Sequence, residues 1–164
     1  MCANSPLDEA RDAAATPEQQ YELGANCFYG DGVPVDYEEA FKWFKLAAGQ
    51  GHPGAQHFLG YFYDEGKGAE QNLQLAVEWY PKAAEKGEEE AVTGIGKCYF
   101  YGYGVPQDYD KALEYFFKGA ELKDSSAMLH LMKCYNEGLG VKIDPDKAEY
   151  YRKKVFGMRE RSED

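Results

Sequence analysis

Gly51-His52-Pro53-Gly54-Ala55-Gln56-His57-Phe58-Leu59-Gly60-Tyr61-Phe62-Tyr63-Asp64-Glu65-Gly66-Lys67-Gly68 is the stretch that decides the fold. Within it Ala55, Leu59, Gly60 and Tyr63 fall at i, i+4, i+5 and i+8, one stripe of an amphipathic helix. Gly66-Lys67-Gly68 then ends the helix and turns the chain, because glycine accepts a positive φ. Asn72 follows as a helix N-cap. Ala76, Trp79, Tyr80, Ala83 and Ala84 make a second helical stripe that stops near Gly87. The unit reads as helix A, glycine turn, helix B and a short loop.

Working outward, the same unit recurs every 36 residues. Leu23-Gly24, Leu59-Gly60 and Ile95-Gly96 are one step apart, and Leu131-Met132 falls on the next. The step also relates the turns beginning at Gly30, Gly66, Gly102 and Gly138, then Ala40, Ala76, Ala112 and Ala148. A fixed period of this length marks a repeat architecture, in which each unit buries its apolar face against its neighbours. The spacing predicts helices over 19–29, 37–48, 55–65, 73–86, 91–101, 109–121, 126–137 and 145–156. Residues 1–18 are expected to form a capping helix (7–15) and linker, 19–156 four repeats (19–54, 55–90, 91–126 and 127–156), and 157–164 a frayed polar tail.

The pattern Gly51-His52-x-x-Ala55-Gln56-x-x-Leu59-Gly60-x-x-Tyr63-x-x-Gly66-x-Gly68 resembles the Sel1-like repeat family, relatives of tetratricopeptide repeats. Val33, Asp36, Ala40, Trp43, Phe44 and Ala47-Ala48 belong to the same resemblance. It implies an all-α fold, a right-handed superhelical solenoid of antiparallel helix pairs with A helices lining a concave face. It also implies adaptor or scaffold roles in protein complexes, often at the bacterial cell envelope. Repeat 4 departs from the pattern with Met132, Arg152 and Val155, as expected of a terminal repeat facing solvent.

The formal charge is −11, from 18 basic and 29 acidic residues. Residues 1–72 carry 4 basic and 12 acidic groups, whereas residues 123–164 carry 9 and 8. An acidic body argues against nucleic acid, which needs clustered Lys and Arg at its phosphates. The basic residues near the C-terminus are interleaved with acids and read as a solvated helix face. No run approaches the roughly 18 apolar residues of a membrane span, so no membrane insertion is expected. The segment from Met1 to Pro17 lacks the basic start and apolar stretch of a secretory leader. The chain as written is expected in the cytoplasm; a leader removed beforehand would place it in the periplasm or outside the cell.

Cys98 and Cys134 lie one period apart, so they are expected on neighbouring parallel helices about 8–10 Å apart. That exceeds the roughly 7 Å Cα separation a disulfide tolerates. No C-x-x-C occurs, and Cys2, Cys27, Cys98 and Cys134 are all expected as reduced thiols with no metal. The G-x-G turns lack the Lys-Ser/Thr of a phosphate loop, so no cofactor is expected. His52, His57 and His130 form no H-E-x-x-H pair, and no serine begins an S-x-x-K motif. The chain therefore reads as a non-enzyme. The alternative, a cell-envelope enzyme or binder of β-lactams or cell-wall fragments, comes from the cysteine-rich branch of the family. That branch has a Cys pair in each repeat, and this chain does not.

The candidate site is the exposed side of the A helices, taken at positions two before Leu, one after Gly, and four and five after Gly. Its partner-binding residues are Tyr21, Phe28 and Tyr29 in the first repeat, and His57, Tyr61, Asp64 and Glu65 in the second. The third repeat contributes Lys97, Phe100 and Tyr101, and the fourth Lys133. Aromatics with a few charges supply anchors and orientation for a bound segment. The expected function is a scaffold that holds a protein or peptide partner on this concave face.

Overall fold

Each repeat folds as its sequence dictates, a pair of helices joined by a glycine turn. The computed structural model describes residues 16–160, with side chains as far as Gly157. In chain order the helices are α1 (Pro17–Tyr29), α2 (Tyr37–Gly49), α3 (Pro53–Glu65), α4 (Leu73–Glu85), α5 (Glu90–Tyr101), α6 (Tyr109–Glu121), α7 (Ser125–Glu137) and α8 (Pro145–Glu160). No strand occurs among the described residues. The expected capping helix at 7–15 and the end of the tail at 161–164 lie outside them.

Helix ends follow side-chain chemistry. Asp36, Asn72, Asp108 and Asp144 each accept a hydrogen bond from the backbone N–H three residues on, at 2.9–3.1 Å. Their own N–H groups donate to the carbonyls of Cys27, Tyr63, Tyr99 and Tyr135, each at 2.9 Å. One bond, repeated at the sequence period, thus closes all four A–B turns. α1 and α3 begin two residues earlier than the spacing predicts, because Thr16 and His52 are N-caps and Pro17 and Pro53 occupy the favoured first position. Thr16 forms a capping box with Gln19. His52 Nδ1 accepts from the Ala55 N–H at 3.2 Å. α8 corrects the expected stop at 156. It runs through Gly157 to Glu160.

The chain divides into two compact units, one reaching to Glu88 and one beginning at Glu89. In the first, α1 packs on α2, α2 on α3 and α3 on α4. In the second, α5 to α8 pack in the same succession, and α5 also touches α7.

The glycine that recurs in helix A has one structural task. It receives the aromatic ring of its own helix B. A Cβ placed at Gly24, Gly60 or Gly96 would lie 2.9, 2.7 and 2.7 Å from the rings of Phe44, Tyr80 and Phe116. In the last repeat both partners change together: Met132 replaces the glycine and Arg152 the ring. Arg152 turns outward to Glu149 instead. The first unit's core then stacks Phe44 on Phe58, with centroids 4.3 Å apart and planes 3° from parallel. In the second unit Phe116 stacks on His130 at 4.6 Å and 25°. His130 therefore occupies, two periods on, the place Phe58 holds.

Candidate functional site

In the first unit the A helices α1 and α3 bring Phe28, Tyr29, Tyr61 and the α2 residue Tyr37 into one aromatic group. Phe28 sits at its centre, half-buried, with ring edges on Tyr29 at 4.9 Å, Tyr37 at 5.4 Å and Tyr61 at 5.8 Å. Tyr29 is 68% exposed. Lys67, from the glycine turn, donates to the Tyr61 hydroxyl at 2.9 Å and stands over the Tyr61 and Tyr37 rings at 5.5 and 5.9 Å. That bond to Tyr61 raises the Lys67 pKa, so the cation is held among the rings.

The second unit repeats the group two periods later. Phe100 meets Tyr101 edge-on at 4.8 Å and Tyr109 at 5.3 Å. Tyr101 is 41% exposed and stacks on Tyr103 at 5.0 Å. The cation here is Lys133, over the Phe100 and Tyr101 rings at 5.4 and 5.9 Å. Cation–π contacts of this kind are worth about 0.5–1 kcal/mol at exposed sites. His130 completes the group. Its Nδ1 donates to the Ser126 carbonyl at 2.8 Å, which leaves Nε2 as the acceptor facing the Tyr101 hydroxyl at 3.5 Å. Burial lowers the His130 pKa, and Lys97 and Lys133 lower it further.

The remaining sequence-predicted residues distribute differently. Tyr21 stacks on His52 at 4.3 Å and covers Gly54, so it serves the junction between α1 and α3. His57 is half-buried against Phe58 and Tyr80. Glu65 is exposed and Lys97 half-buried. Asp64 and Phe100 require correction as surface positions, being only 5% and 3% exposed. Asp64 turns inward to accept from the Tyr80 hydroxyl at 3.4 Å, and Phe100 forms the floor beneath Tyr101. Tyr37, Lys67, Tyr103, Tyr109 and His130 were missed because they lie outside the helix A positions selected. Their signal was the two-period recurrence of Phe-Tyr, with Tyr37 and Tyr109 each eight positions after the tyrosine.

No group of metal-ligating side chains occurs among the described residues, and none of their helices is long and apolar enough to cross a membrane. Cys27, Cys98 and Cys134 are buried thiols outside any disulfide.

The Sel1 repeat profile matches residues 17–52, 53–88, 90–124 and 125–154. The chain belongs to the Sel1 repeat family. These boundaries begin each repeat close to the capping residues rather than two residues inside helix A. A Sel1 repeat protein from Oxalobacter formigenes is 37% identical, with a TM-score of 0.77, over 86% of this chain and 56% of that one. A protective antigen present in uropathogenic Escherichia coli strains, displaying an SLR fold, is 34% identical with a TM-score of 0.69. That match covers 87% of this chain and 30% of the antigen, so the chain spans about half or less of both relatives. The Helicobacter pylori cysteine rich protein B, 20% identical with a TM-score of 0.53 over 76% of this chain and 96% of that one, shares the fold. No curated protein matches. The Sel1 fold is an all-α solenoid of helix pairs, commonly a protein-interaction scaffold.

Proposed function

We infer that this Sel1 repeat chain is a non-enzymatic scaffold, and that each unit binds a segment of a partner protein on its aromatic–lysine surface. The observation that carries the reading is the recurrence itself. Phe28, Tyr29 and Tyr37 reappear as Phe100, Tyr101 and Tyr109, each group with a lysine over its rings, although Lys67 and Lys133 come from different places in the repeat. A packing requirement alone would not hold a tyrosine 68% exposed in one unit and 41% exposed in the other. Rings and a cation suit a segment with an apolar anchor and a carboxylate, the charge pair mainly setting orientation. The sequence carries no S-x-x-K motif and no Cys pair in each repeat, so it does not favour the β-lactam reading.

Selection of random displayed peptides on the immobilised protein tests this. Enriched sequences should pair an apolar anchor with acidic residues. Tyr61→Ala and Tyr101→Ala should each weaken such a peptide by about 2 kcal/mol or more, the loss expected of a hot spot. Enrichment with no acidic or apolar preference, or affinity unchanged in both variants, refutes the assignment.

A further inference from the structure

One substitution separates the two aromatic groups chemically. Phe58 of α3 becomes His130 of α7 two periods on. The ring contacts survive the exchange. Phe58 meets Phe28 and Tyr29 at 5.1 and 6.4 Å, and His130 meets Phe100 and Tyr101 at 5.7 and 6.1 Å. Each also stacks on the helix B phenylalanine of its own unit. A phenylalanine therefore satisfies the packing, and what the imidazole adds is a site for a proton. With the Nδ1 proton held by the Ser126 carbonyl at 2.8 Å, that site is Nε2, on the side of the Tyr101 hydroxyl.

The groups that face this ring come from every helix packed around it. Burial disfavours its cation most, and Lys97 of α5 and Lys133 of α7 add to that; the Ser126 carbonyl and Asp124 oppose them. Helix α6 presents the apolar Phe116, and α5 adds the Tyr101 hydroxyl. Lys133 also stands over the Phe100 and Tyr101 rings, so the cations share the aromatic surface. A proton on His130 would make a third positive charge there. Without it, the Nε2 lone pair opposes the oxygen of any carboxylate drawn in by the lysines. With it, Nε2 becomes a charged donor to that oxygen.

We propose that the second unit takes up a proton on His130 when it binds an acidic segment, so that its affinity for carboxylate partners rises as the pH falls. The inference rests on the scaffold reading above and adds its regulation. The proton comes from solvent and goes to Nε2; the segment's carboxylate is seated by Nε2 together with Lys97 and Lys133. The sign follows from linkage. The free ring titrates below its ordinary 6.5, so it is neutral at pH 7.5. A bound carboxylate favours the charged form and moves the titration upward. Whatever raises the proton affinity is in turn bound more tightly by the protonated site. A glutamate partner stays ionised down to about pH 4.3, which leaves the change to the histidine.

Two synthetic probes titrated into the full chain make the test, acetyl-Phe-Glu-Phe-Glu-amide and its counterpart with glutamine in place of glutamate. NMR signals of the His130 imidazole and the Tyr101 ring report occupancy of this unit. The acidic probe should bind about fivefold or more tightly at about pH 5.5 than at about pH 7.5, with proton uptake in calorimetry. The glutamine probe should show no such gain. His130→Phe should flatten the pH profile of the acidic probe whatever its absolute affinity, and in the parent the His130 titration should move upward when that probe is bound. Equal affinity at the two pH values, or a gain that persists in His130→Phe, overturns the inference and leaves the scaffold reading standing. If neither probe moves the His130 or Tyr101 signals, the inference and the scaffold reading of this surface both fail.

Discussion

Gly60→Ala should destabilise the protein although alanine is the better helix former. The new Cβ would lie 2.7 Å from both Cδ1 and Cε1 of Tyr80, where ordinary contact begins at 3.4 Å. The ring must therefore retreat by at least 0.7 Å, the difference of those distances. Tyr80 is 2% exposed and its hydroxyl is bonded to Asp64, so it has little freedom to do so. Overpacking of this kind costs about 1–3 kcal/mol. The helix preference of alanine over glycine returns about 1 kcal/mol. The expected net loss is about 1 kcal/mol, a fall of roughly 2–4 °C in Tm for a chain of this size. Gly49→Ala is the internal control, because a Cβ there meets nothing within 4 Å and the change should be neutral or slightly stabilising. A double-mutant cycle with Tyr80→Ala should recover the clash as a coupling of about 1–3 kcal/mol. Thermal and urea melts of these variants beside the parent decide the matter. If Gly60→Ala stabilises as much as Gly49→Ala, the helices can part freely and the ring-on-glycine reasoning fails.

Two further outcomes follow from the titrating groups. Alkylation of the denatured protein without reductant should modify all four cysteines, and the native protein should resist at Cys134, whose thiol burial pushes up to about 11; mass spectrometry showing any disulfide would contradict this. His130 has a folded pKa below its ordinary 6.5, so the unfolded chain binds its proton more tightly. Its contribution to stability is complete above about pH 6.5 and declines as pH falls towards the folded value. His130→Phe, which restores the residue type of Phe58, should lose less stability than the parent between pH 7.5 and 5; equal losses in urea melts would refute the role.

Much of this protein was legible in the residues alone. The 36-residue step, the Asp and Asn caps and the glycine turns located all eight described helices to within two residues, save the α8 end. Those signals are local, since a cap or turn is satisfied by atoms a few residues away. Tyr29, Tyr61 and Tyr101 could likewise be selected as a face from helical phase. The tertiary structure decided what each face meets. Asp64 and Phe100 occupy the same helix positions, yet one turns in to a tyrosine hydroxyl and the other becomes a hydrophobic floor. Periodicity flagged a recurring glycine, but only packing showed that each receives a ring from its own helix B. His130 reads as one more polar helix residue until Phe116 is found stacked on it and Tyr101 above it. Helical phase fixes the direction of a side chain; whether it is buried, and against which partner, depends on the neighbouring helix that folding brings opposite.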